Sequence, residues 1–253
     1  MRYAVITGAS SGIGAEFAKD LSARGYGLIL VARREDRLQA LAKELGTPAE
    51  VFTADLSSQS ECERLGEFLE KFDVGVFINN AGFGDCGAFA ETDLNKELRM
   101  INVNVIALHL LSKLAVRILA KNGGHLLNVG SSAGLMPSGP YMATYYATKA
   151  YVVSLTQAIA MELQESRSNV SASVLCPGPV KTEFNDVANV QFALPGISPK
   201  FCASYALKQM FKKKTIIVPS FFMKLATIAG KLLPRYVASK VAGTQQKKKL
   251  GKA

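Results

Sequence analysis

Hydrophobic positions fall into two alternating patterns along the chain. Short, nearly continuous apolar runs, which are typical of strands buried in a parallel sheet, occupy Tyr3–Thr7, Gly27–Ala32, Glu50–Thr53, Val74–Asn79, His125–Val129, Val170–Leu175 and Thr215–Pro219. Longer stretches with apolar residues three or four positions apart predict helices at Gly12–Arg24, Arg34–Leu45, Ser57–Lys71, Asp93–Leu119, Ala143–Gln164 and Lys200–Lys213. This alternation predicts an α/β fold, a doubly wound parallel sheet of seven strands with helices on both faces.

Length and charge refine this picture. The 253 residues, of which 49% are hydrophobic and 20% charged, suit a single large domain spanning 1–253. The net charge of +10 is unevenly distributed, since residues 1–186 carry 17 basic and 20 acidic side chains, whereas residues 187–253 carry 13 basic and none acidic. A nearly neutral body therefore precedes a wholly basic C-terminal region.

Several classes of protein are disfavoured. The four cysteines have no C-x-x-C spacing and the two histidines are isolated, so we expect no metal site and reduced, buried thiols. The N-terminus leads directly into an apolar strand without the pattern of a signal peptide, and no charge-free apolar window predicts a membrane-spanning helix. We therefore expect a cytoplasmic protein. No recognised nucleic-acid-binding module is visible, so a nucleic-acid partner is not expected.

A glycine-rich turn lies between the first predicted strand and the first predicted helix. Residues Thr7–Gly14 read T-G-A-S-S-G-I-G, and glycines at such a junction let backbone N–H groups approach a pyrophosphate at the helix N-terminus. The candidate cofactor-binding residues here are Gly8, Ser10, Ser11, Gly12, Ile13 and Gly14. The spacing G-x-x-x-G-x-G differs from the commoner G-x-G-x-x-G, and a glycine turn without a ligand is the alternative.

The end of the second predicted strand bears on the choice of nicotinamide cofactor. It reads V-A-R-R and offers no carboxylate for the ribose 2′-hydroxyl of NAD, but two guanidinium groups that match a 2′-phosphate. Arg33 is therefore a candidate cofactor-binding residue, and NADP is favoured over NAD. The alternative is that Arg33 and Arg34 form a solvated helix start.

Two further strand ends reach the same edge of the predicted sheet. Asp55 and Leu56 follow the third strand, where the carboxylate could accept a hydrogen bond from an adenine amino group or could cap the next helix. Asn80, Ala81 and Gly82 follow the fourth strand, where small residues permit close approach of a cofactor but also make an ordinary turn. All five are candidate cofactor-binding residues.

Tyr145 and Lys149 are four positions apart on a predicted helix, so their side chains share one face. A free phenol has a pKa near 10, and a neighbouring ammonium is expected to lower the pKa of Tyr145 and make its proton usable for catalysis. Tyr236 and Lys240 have the same spacing in the basic region. Only Tyr145 follows a Gly-Ser-Ser strand end, which favours it as the reactive tyrosine.

Five motifs occur in order: T-G-A-S-S-G-I-G at Thr7–Gly14, N-N-A-G at Asn79–Gly82, V-G-S-S-A-G at Val129–Gly134, Y-Y-A-T-K at Tyr145–Lys149 and C-P-G-P-V-K-T at Cys176–Thr182. Together they resemble the short-chain dehydrogenase/reductase family in its compact form. The resemblance runs from Met1 to Thr182. It implies a Rossmann-like fold, a nicotinamide cofactor, a carbonyl or alcohol substrate and a homodimer or homotetramer. It also implies that residues 183–253 vary and determine substrate choice.

The resemblance further implies a catalytic Ser–Tyr–Lys centre. Tyr145 would give a proton to the carbonyl oxygen as hydride is delivered, or accept one in the reverse direction, while Lys149 would lower its pKa and hold the nicotinamide ribose. Aligning the motif by its glycine selects Ser131 as the serine that polarises the substrate oxygen. Counting back from the tyrosine selects Ser132, which is the alternative.

The same resemblance implies an assisting asparagine and a loop beside the nicotinamide. Asn104 matches the family's asparagine, with Asn102 as the alternative. Pro177, Gly178 and Thr182 would bind the cofactor after the sixth strand.

Two segments beyond the shared motifs bear on substrate and partners. The loop Phe184–Leu194 carries five apolar side chains, which favour an apolar substrate pocket, with a lid packed on its own protein as the alternative: Phe184, Val187, Val190, Phe192 and Leu194. The segment Ser220–Leu233 is strongly apolar and contains Lys224 and Lys231. It is interpreted as a helix packed on the domain or on another subunit, as part of a peripheral membrane contact through 220–253, or as a docking site for an acidic substrate or carrier.

Two hypotheses of function follow. The first is an NADP(H)-dependent oxidoreductase, a carbonyl reductase or alcohol dehydrogenase acting on an apolar ketone or secondary alcohol. The alternative is a non-catalytic nucleotide-sensing or membrane-associated scaffold with the same fold. The complete set of Ser131, Tyr145 and Lys149 favours the enzyme.

Overall fold

One parallel sheet forms the centre of the molecule in the computed structural model, which describes residues 1–184, 188 and 196–249. Its strands are β1 (Tyr3–Thr7), β2 (Gly27–Ala32), β3 (Ala49–Thr53), β4 (Val74–Asn79), β5 (Gly124–Val129), β6 (Val170–Leu175) and β7 (Ile216–Ile217). They are arranged in the order β3-β2-β1-β4-β5-β6-β7, and every neighbouring pair is parallel. The predicted seven-stranded Rossmann-like architecture is confirmed, although β7 is shorter than expected.

Nine helices are described around this sheet: α1 (Gly12–Ala23), α2 (Glu35–Glu44), α3 (Gln59–Leu69), α4 (Leu94–Ile101), α5 (Leu108–Ala120), α6 (Ala143–Glu165), α7 (Pro199–Met210), α8 (Phe221–Leu232) and α9 (Arg235–Lys249). A π-helical segment, Asn102–Ala107, joins α4 to α5, and a short 3₁₀ turn, Ser132–Leu135, follows β5. The sequence patterns predicted all of these helices except α9.

The helices pack on both faces of the sheet because most strand side chains are apolar on either face. One core combines Phe17 of α1, Leu38 of α2 and Leu207 of α7 with one face of the sheet. The opposite core combines Leu65 of α3 and Leu111 of α5 with the other face. Two buried faces explain why the strands are continuous apolar runs rather than alternating patterns.

The order of the strands reverses at β1, which pairs with β2 on one side and with β4 on the other. In open parallel sheets, ligands bind in the crevice beyond the carboxyl ends of the strands at such a reversal. The loops after β1, β2, β3, β4, β5 and β6 therefore converge on one edge of the sheet.

One helical stretch, Leu94–Ala120, is long and apolar enough to span a membrane by length and composition, although the sequence patterns predicted none. In the fold its α5 part packs on the sheet through Leu111, Ala115 and Leu119, and Met100 of α4 is buried in a separate cluster with Tyr145.

Candidate active site

The glycine turn after β1 is shaped by close backbone contacts. Gly8 and Gly12 have φ angles of +66° and +57°, a region that favours glycine. A Cβ atom added at Gly14 would clash with the Gly8 carbonyl oxygen, and one at Gly12 would lie 3.1 Å from the Thr182 side chain. A Cβ atom at Gly14 would also meet the Asn80 side chain, so the start of α1 lies against the loops after β4 and β6, and the helix N-terminus opens onto the edge of the sheet.

A single cavity of about 920 Å³ extends along that edge from the glycine turn to the C-terminal helices. The predicted cofactor-binding residues in its lining are Gly8, Ser10, Ser11, Gly12, Ile13, Arg33, Asp55, Leu56, Asn80, Ala81, Gly82, Lys149, Pro177, Gly178 and Thr182. Ser131, Ser132 and Tyr145 line the same cavity. Of the predicted site residues, Gly14 and Asn104 do not line this cavity. Residues from six separate strand ends thus meet around one space.

The arginines after β2 lie at one end of this cavity. The Arg34 guanidinium donates hydrogen bonds to the hydroxyls of Ser10, at 3.1 and 3.3 Å, and Ser11, at 2.8 Å. It also forms a 2.9 Å salt bridge with Glu183, whose other oxygen lies 2.6 Å from Arg37. Hydrogen bonds and charges from these two arginines lower the pKa of Glu183. Arg34 does stand directly before α2, as the helix-start alternative expects. Its side chain, however, is directed at the glycine turn rather than only at solvent.

Arg33 is exposed, and it lines the cavity together with Asp55. Partial burial acts to raise the pKa of Asp55, but hydrogen bonds from Ser57 and the positive charges of Arg33 and Arg99 lower it overall. The Asp55 carboxylate accepts the Ser57 N–H at 3.0 Å, whereas α3 begins after Ser58. Asp55 therefore closes a turn before the helix rather than capping it, and it stays ionised.

Tyr145 and Ser131 meet at the centre of the cavity. Tyr145 is 8% exposed, and its ring lies 5.6 Å from that of Phe184. Burial raises the pKa of Tyr145 to about 12, and a hydrogen bond with the Ser131 side chain acts in the opposite direction. The Ser131 hydroxyl also accepts the Ala133 N–H at 3.1 Å. This pairing places Ser131, rather than Ser132, beside the Tyr145 hydroxyl.

Lys149 lies one helical turn further along α6, on the same face as Tyr145. Its Nζ donates a 2.9 Å hydrogen bond to the Val129 carbonyl and is 5.9 Å from the centre of the Tyr145 ring. Burial lowers the pKa of Lys149 to about 8. The expected lowering of the Tyr145 pKa by Lys149 is not seen: burial raises this pKa, and the opposing contribution comes from the Ser131 hydrogen bond rather than from Lys149.

Asn104 is fully buried in the π-helical segment, whereas Asn102 is exposed. The Asn104 amide bonds both backbone polar groups of Phe83, at 2.9 and 3.1 Å, and donates to Thr148 Oγ1 at 3.2 Å. A Cβ atom at Gly82 would lie 2.9 Å from Asn104 Oδ1 and 3.3 Å from Lys149 Nζ. Asn104 therefore fixes the loop after β4 against α6, close to the lysine.

The second Tyr-x-x-x-Lys pattern lies elsewhere. Tyr236 is 78% exposed on α9, Lys240 is exposed beside it, and neither lines the cavity.

Several cavity-lining residues were not singled out by the sequence patterns. Seven of them form a wall opposite the glycine turn that is apolar apart from the Gln246 amide and the Tyr146 hydroxyl: Met136, Met142, Tyr146, Met223, Leu233, Val241 and Gln246. A Cβ atom at Gly178 would collide with Met223, so this glycine admits α8 against the loop after β6. Gln246 donates a 2.6 Å hydrogen bond to the Tyr146 hydroxyl, which ties α9 to α6. Such contacts between distant segments have no local sequence pattern.

The predicted apolar lid is only partly visible. Phe184 lines the cavity against Tyr145, whereas Val187, Val190, Phe192 and Leu194 lie outside the described residues.

The donor set fits a nicotinamide dinucleotide. The glycine turn excludes side chains where a pyrophosphate would approach, arginine and serine donors lie at one end, and Tyr145, Lys149 and Ser131 lie toward the other. Among the described residues, no group of three or more His, Cys, Asp or Glu side chains is placed to hold a metal ion. All four cysteines are buried, and none of them is in a disulfide bond within the described residues.

Comparison with known proteins agrees with this geometry. The short chain dehydrogenase family matches residues 2–191. A very-long-chain 3-oxoacyl-CoA reductase from Neurospora crassa is 37% identical over 178 residues, which cover 66% of this chain and 53% of that protein. The chain thus spans little more than half the length of the curated relatives it matches first.

Solved structures match over most of both chains. A short-chain dehydrogenase from Sphingobium yanoikuyae in complex with NADPH is 30% identical, with a TM-score of 0.81 and coverage of 92% of this chain and 94% of that one. A 7β-hydroxysteroid dehydrogenase is 26% identical, with a TM-score of 0.84 and coverage of 95% and 96%. A Burkholderia phymatum enzyme in complex with NAD is also 26% identical, with a TM-score of 0.82 and coverage of 90% and 92%.

Proposed function

Because this chain belongs to the short-chain dehydrogenase/reductase family, we propose that it is an NADP(H)-dependent oxidoreductase that interconverts bulky, apolar ketones and their secondary alcohols. One observation carries the proposal. The Tyr145–Ser131 pair lies in a cavity whose one end has the arginine and serine donors for a dinucleotide and whose other end is apolar.

Each catalytic residue has a role that follows from its position. A nicotinamide bound in this cavity would supply the hydride for the carbonyl carbon. Tyr145 supplies a proton to the carbonyl oxygen, and the Ser131 hydroxyl holds that oxygen by a hydrogen bond. Lys149 brings positive charge within reach of the phenol while its ammonium is anchored on Val129. Asn104 positions the loop that faces this lysine.

The preference for NADP over NAD rests on Arg33 and Arg34. Arg33 is exposed at the cavity mouth, and Arg34 is held on Ser10 and Ser11 beside the glycine turn. Two guanidinium groups and a serine hydroxyl suit a 2′-phosphate. Solved relatives bind NADPH or NAD, so the family alone does not determine the choice.

The substrate class rests on the apolar wall. Three methionines line the cavity, two from the loop before α6 and one from α8, and methionine adapts to bulky, irregular ligands: Met136, Met142 and Met223. A hydroxysteroid dehydrogenase of similar fold supports a bulky ring ketone. A 3-oxoacyl thioester is the second candidate, supported by the names of the relatives.

Location and assembly stay predictions. We propose a cytoplasmic homodimer or homotetramer, with a small-molecule substrate and no nucleic-acid partner.

The test is a panel of ketones with the purified full chain, in which NADPH and NADH oxidation is followed by absorbance. A ketosteroid, a long-chain 3-oxoacyl thioester and acetone represent the three substrate classes. We expect NADPH to be oxidised with the ketosteroid and hardly at all with acetone. Oxidation with the thioester alone supports the second candidate, and turnover of none of the three by either cofactor contradicts the proposal.

A further inference from the structure

Helix α8 exposes a continuous apolar surface. Phe221, Leu225, Ile228 and Leu232 are spaced four, three and four positions apart, so they lie on one side of the helix. Their exposed fractions are 71%, 50%, 49% and 82%. We call these four residues the α8 stripe. Large apolar side chains aligned in this way and left in contact with water mark an interaction surface.

Helix α8 packs on the rest of the protein through residues that lie outside the α8 stripe. Met223 packs against Gly178, Gly230 against Met136, and Thr227 is buried. None of the stripe residues lines the cavity. The stripe is therefore not required to attach α8 to the protein.

The charge of the surrounding region restricts the partner. Residues 187–253 contain 13 basic and no acidic residues. Lys224 on α8 and Arg235, Lys240 and Lys247 on α9 are exposed, and within the described part of the chain none of the four forms a salt bridge. An apolar stripe accompanied by unneutralised cations matches an anionic lipid surface, where acyl chains accept the stripe and headgroups accept the charges.

A second copy of this chain fits the surface poorly. A two-fold contact joins the same patch on both subunits. A two-fold contact through the α8 stripe would bring the basic C-terminal regions of both subunits together, and their charges would repel. Exposed Tyr236 and Val237 on α9 add apolar area next to the cations, which is typical of helices lying in a membrane interface.

We propose that the α8 stripe, with the cationic side chains of α8 and α9, docks this protein onto an anionic membrane. The proposal goes beyond the proposed reaction and does not depend on it. Because Ala226, Ala229 and Gly230 of the same helix line the cavity, docking would place the cavity wall next to the bilayer.

The absence of tryptophan from the chain allows a site-specific test. Phe221→Trp places one indole in the stripe, and Phe89→Trp places one at a position of equal exposure, 70%, outside the C-terminal helices. Each variant is mixed with phosphatidylcholine vesicles and with vesicles in which about one lipid in three is phosphatidylglycerol. We expect a blue shift of Phe221→Trp fluorescence with the anionic vesicles only, reversed by high salt, and no shift for Phe89→Trp.

Vesicle co-sedimentation separates the two parts of the surface. Two double variants are each expected to lower the bound fraction at least about threefold. One, Leu225→Ser with Ile228→Ser, alters the apolar stripe, and the other, Lys224→Gln with Lys240→Gln, removes two of the charges. Met161→Ser, at an exposed apolar position on α6, is the matched control and should bind as wild type does. Unchanged NADPH-binding affinity and melting temperature verify that the variants are folded.

Three outcomes would overturn the proposal. The first is equal shifts for the two tryptophan variants, and the second is no vesicle binding by the wild-type chain. The third is a Phe221→Trp blue shift that grows with protein concentration without lipid, which would assign the stripe to self-association.

Discussion

The Lys149 ammonium nitrogen lies 5.9 Å from the centre of the Tyr145 ring, and the two side chains share one buried face of α6. Burial raises the pKa of Tyr145 to about 12 and lowers that of Lys149 to about 8. The phenol is therefore protonated at neutral pH, whereas the lysine loses its charge once the pH rises above about 8. This arrangement suits proton donation to a carbonyl, and hence ketone reduction at neutral pH.

The lysine titration predicts a pH dependence of activity. We expect kcat/KM for ketone reduction to be level below pH 8 and to fall above it, because Lys149 is charged only below its lowered pKa. The measurement is kcat/KM with NADPH across neutral to alkaline pH. A profile that stays level through pH 10 would show that the charge on Lys149 does not matter for this step.

Burial of the same lysine predicts a stability effect. In the unfolded chain Lys149 keeps its ordinary pKa of 10.5, so between pH 8 and that value the unfolded state holds one more proton and wild-type stability rises with pH. We expect Lys149→Met to abolish activity but to raise the free energy of unfolding at pH 7 by roughly 1 to 3 kcal/mol, less the lost Val129 hydrogen bond.

Denaturant melts of Lys149→Met and wild type at several pH values check this expectation. The difference should be largest below pH 8 and shrink toward alkaline pH. A constant difference would mean that the lysine charge is not the cause.

The two adjacent serines predict different kinetic effects. Ser131→Ala removes the hydroxyl that bonds Tyr145, so kcat/KM should fall on the order of 100-fold. Ser132 uses its backbone N–H to bond the Pro177 carbonyl at 2.8 Å, which an alanine retains. Steady-state kinetics of the two variants should therefore separate them. The reverse ranking would restore Ser132 as the catalytic serine.

Glu183 predicts a cofactor effect. Its carboxylate is paired with Arg34, so it competes with a 2′-phosphate for that guanidinium. We expect Glu183→Gln to tighten NADPH binding roughly two- to fivefold without changing NADH binding. Fluorescence titration of both cofactors measures this effect. The control is Glu44→Gln, which alters an exposed carboxylate paired with Lys19. Weaker NADPH binding by Glu183→Gln would mean that Glu183 positions Arg34 instead.

The sheet followed from the sequence because its strands are buried on both faces and therefore appear as continuous apolar runs. β7 is shorter than the predicted Thr215–Pro219 because only Ile216 and Ile217 pair with β6. Helix α9 was not predicted because its sequence is polar and rich in lysine. Its place depends on tertiary contacts, including the burial of Ala238, Ala242 and Gln246.

The residues that line the cavity also followed largely from the sequence. Strand-end motifs located the cavity lining because the carboxyl ends of parallel strands meet at one edge. Local spacing could not determine whether Ser131 or Ser132 faces Tyr145, since that depends on the backbone direction after β5. Nor could it reveal the Arg34–Glu183 salt bridge, which joins residues 149 positions apart.

The most direct test of the central claim is the kcat/KM of Tyr145→Phe for NADPH-dependent reduction of the best ketone in the panel. Tyr236→Phe is the matched control, since Tyr236 has the same Tyr-x-x-x-Lys spacing but lies exposed on α9. We predict that Tyr145→Phe loses at least about 100-fold in kcat/KM while still binding NADPH, and that Tyr236→Phe keeps wild-type kinetics. Full activity in Tyr145→Phe would contradict the assignment of Tyr145 as the proton donor.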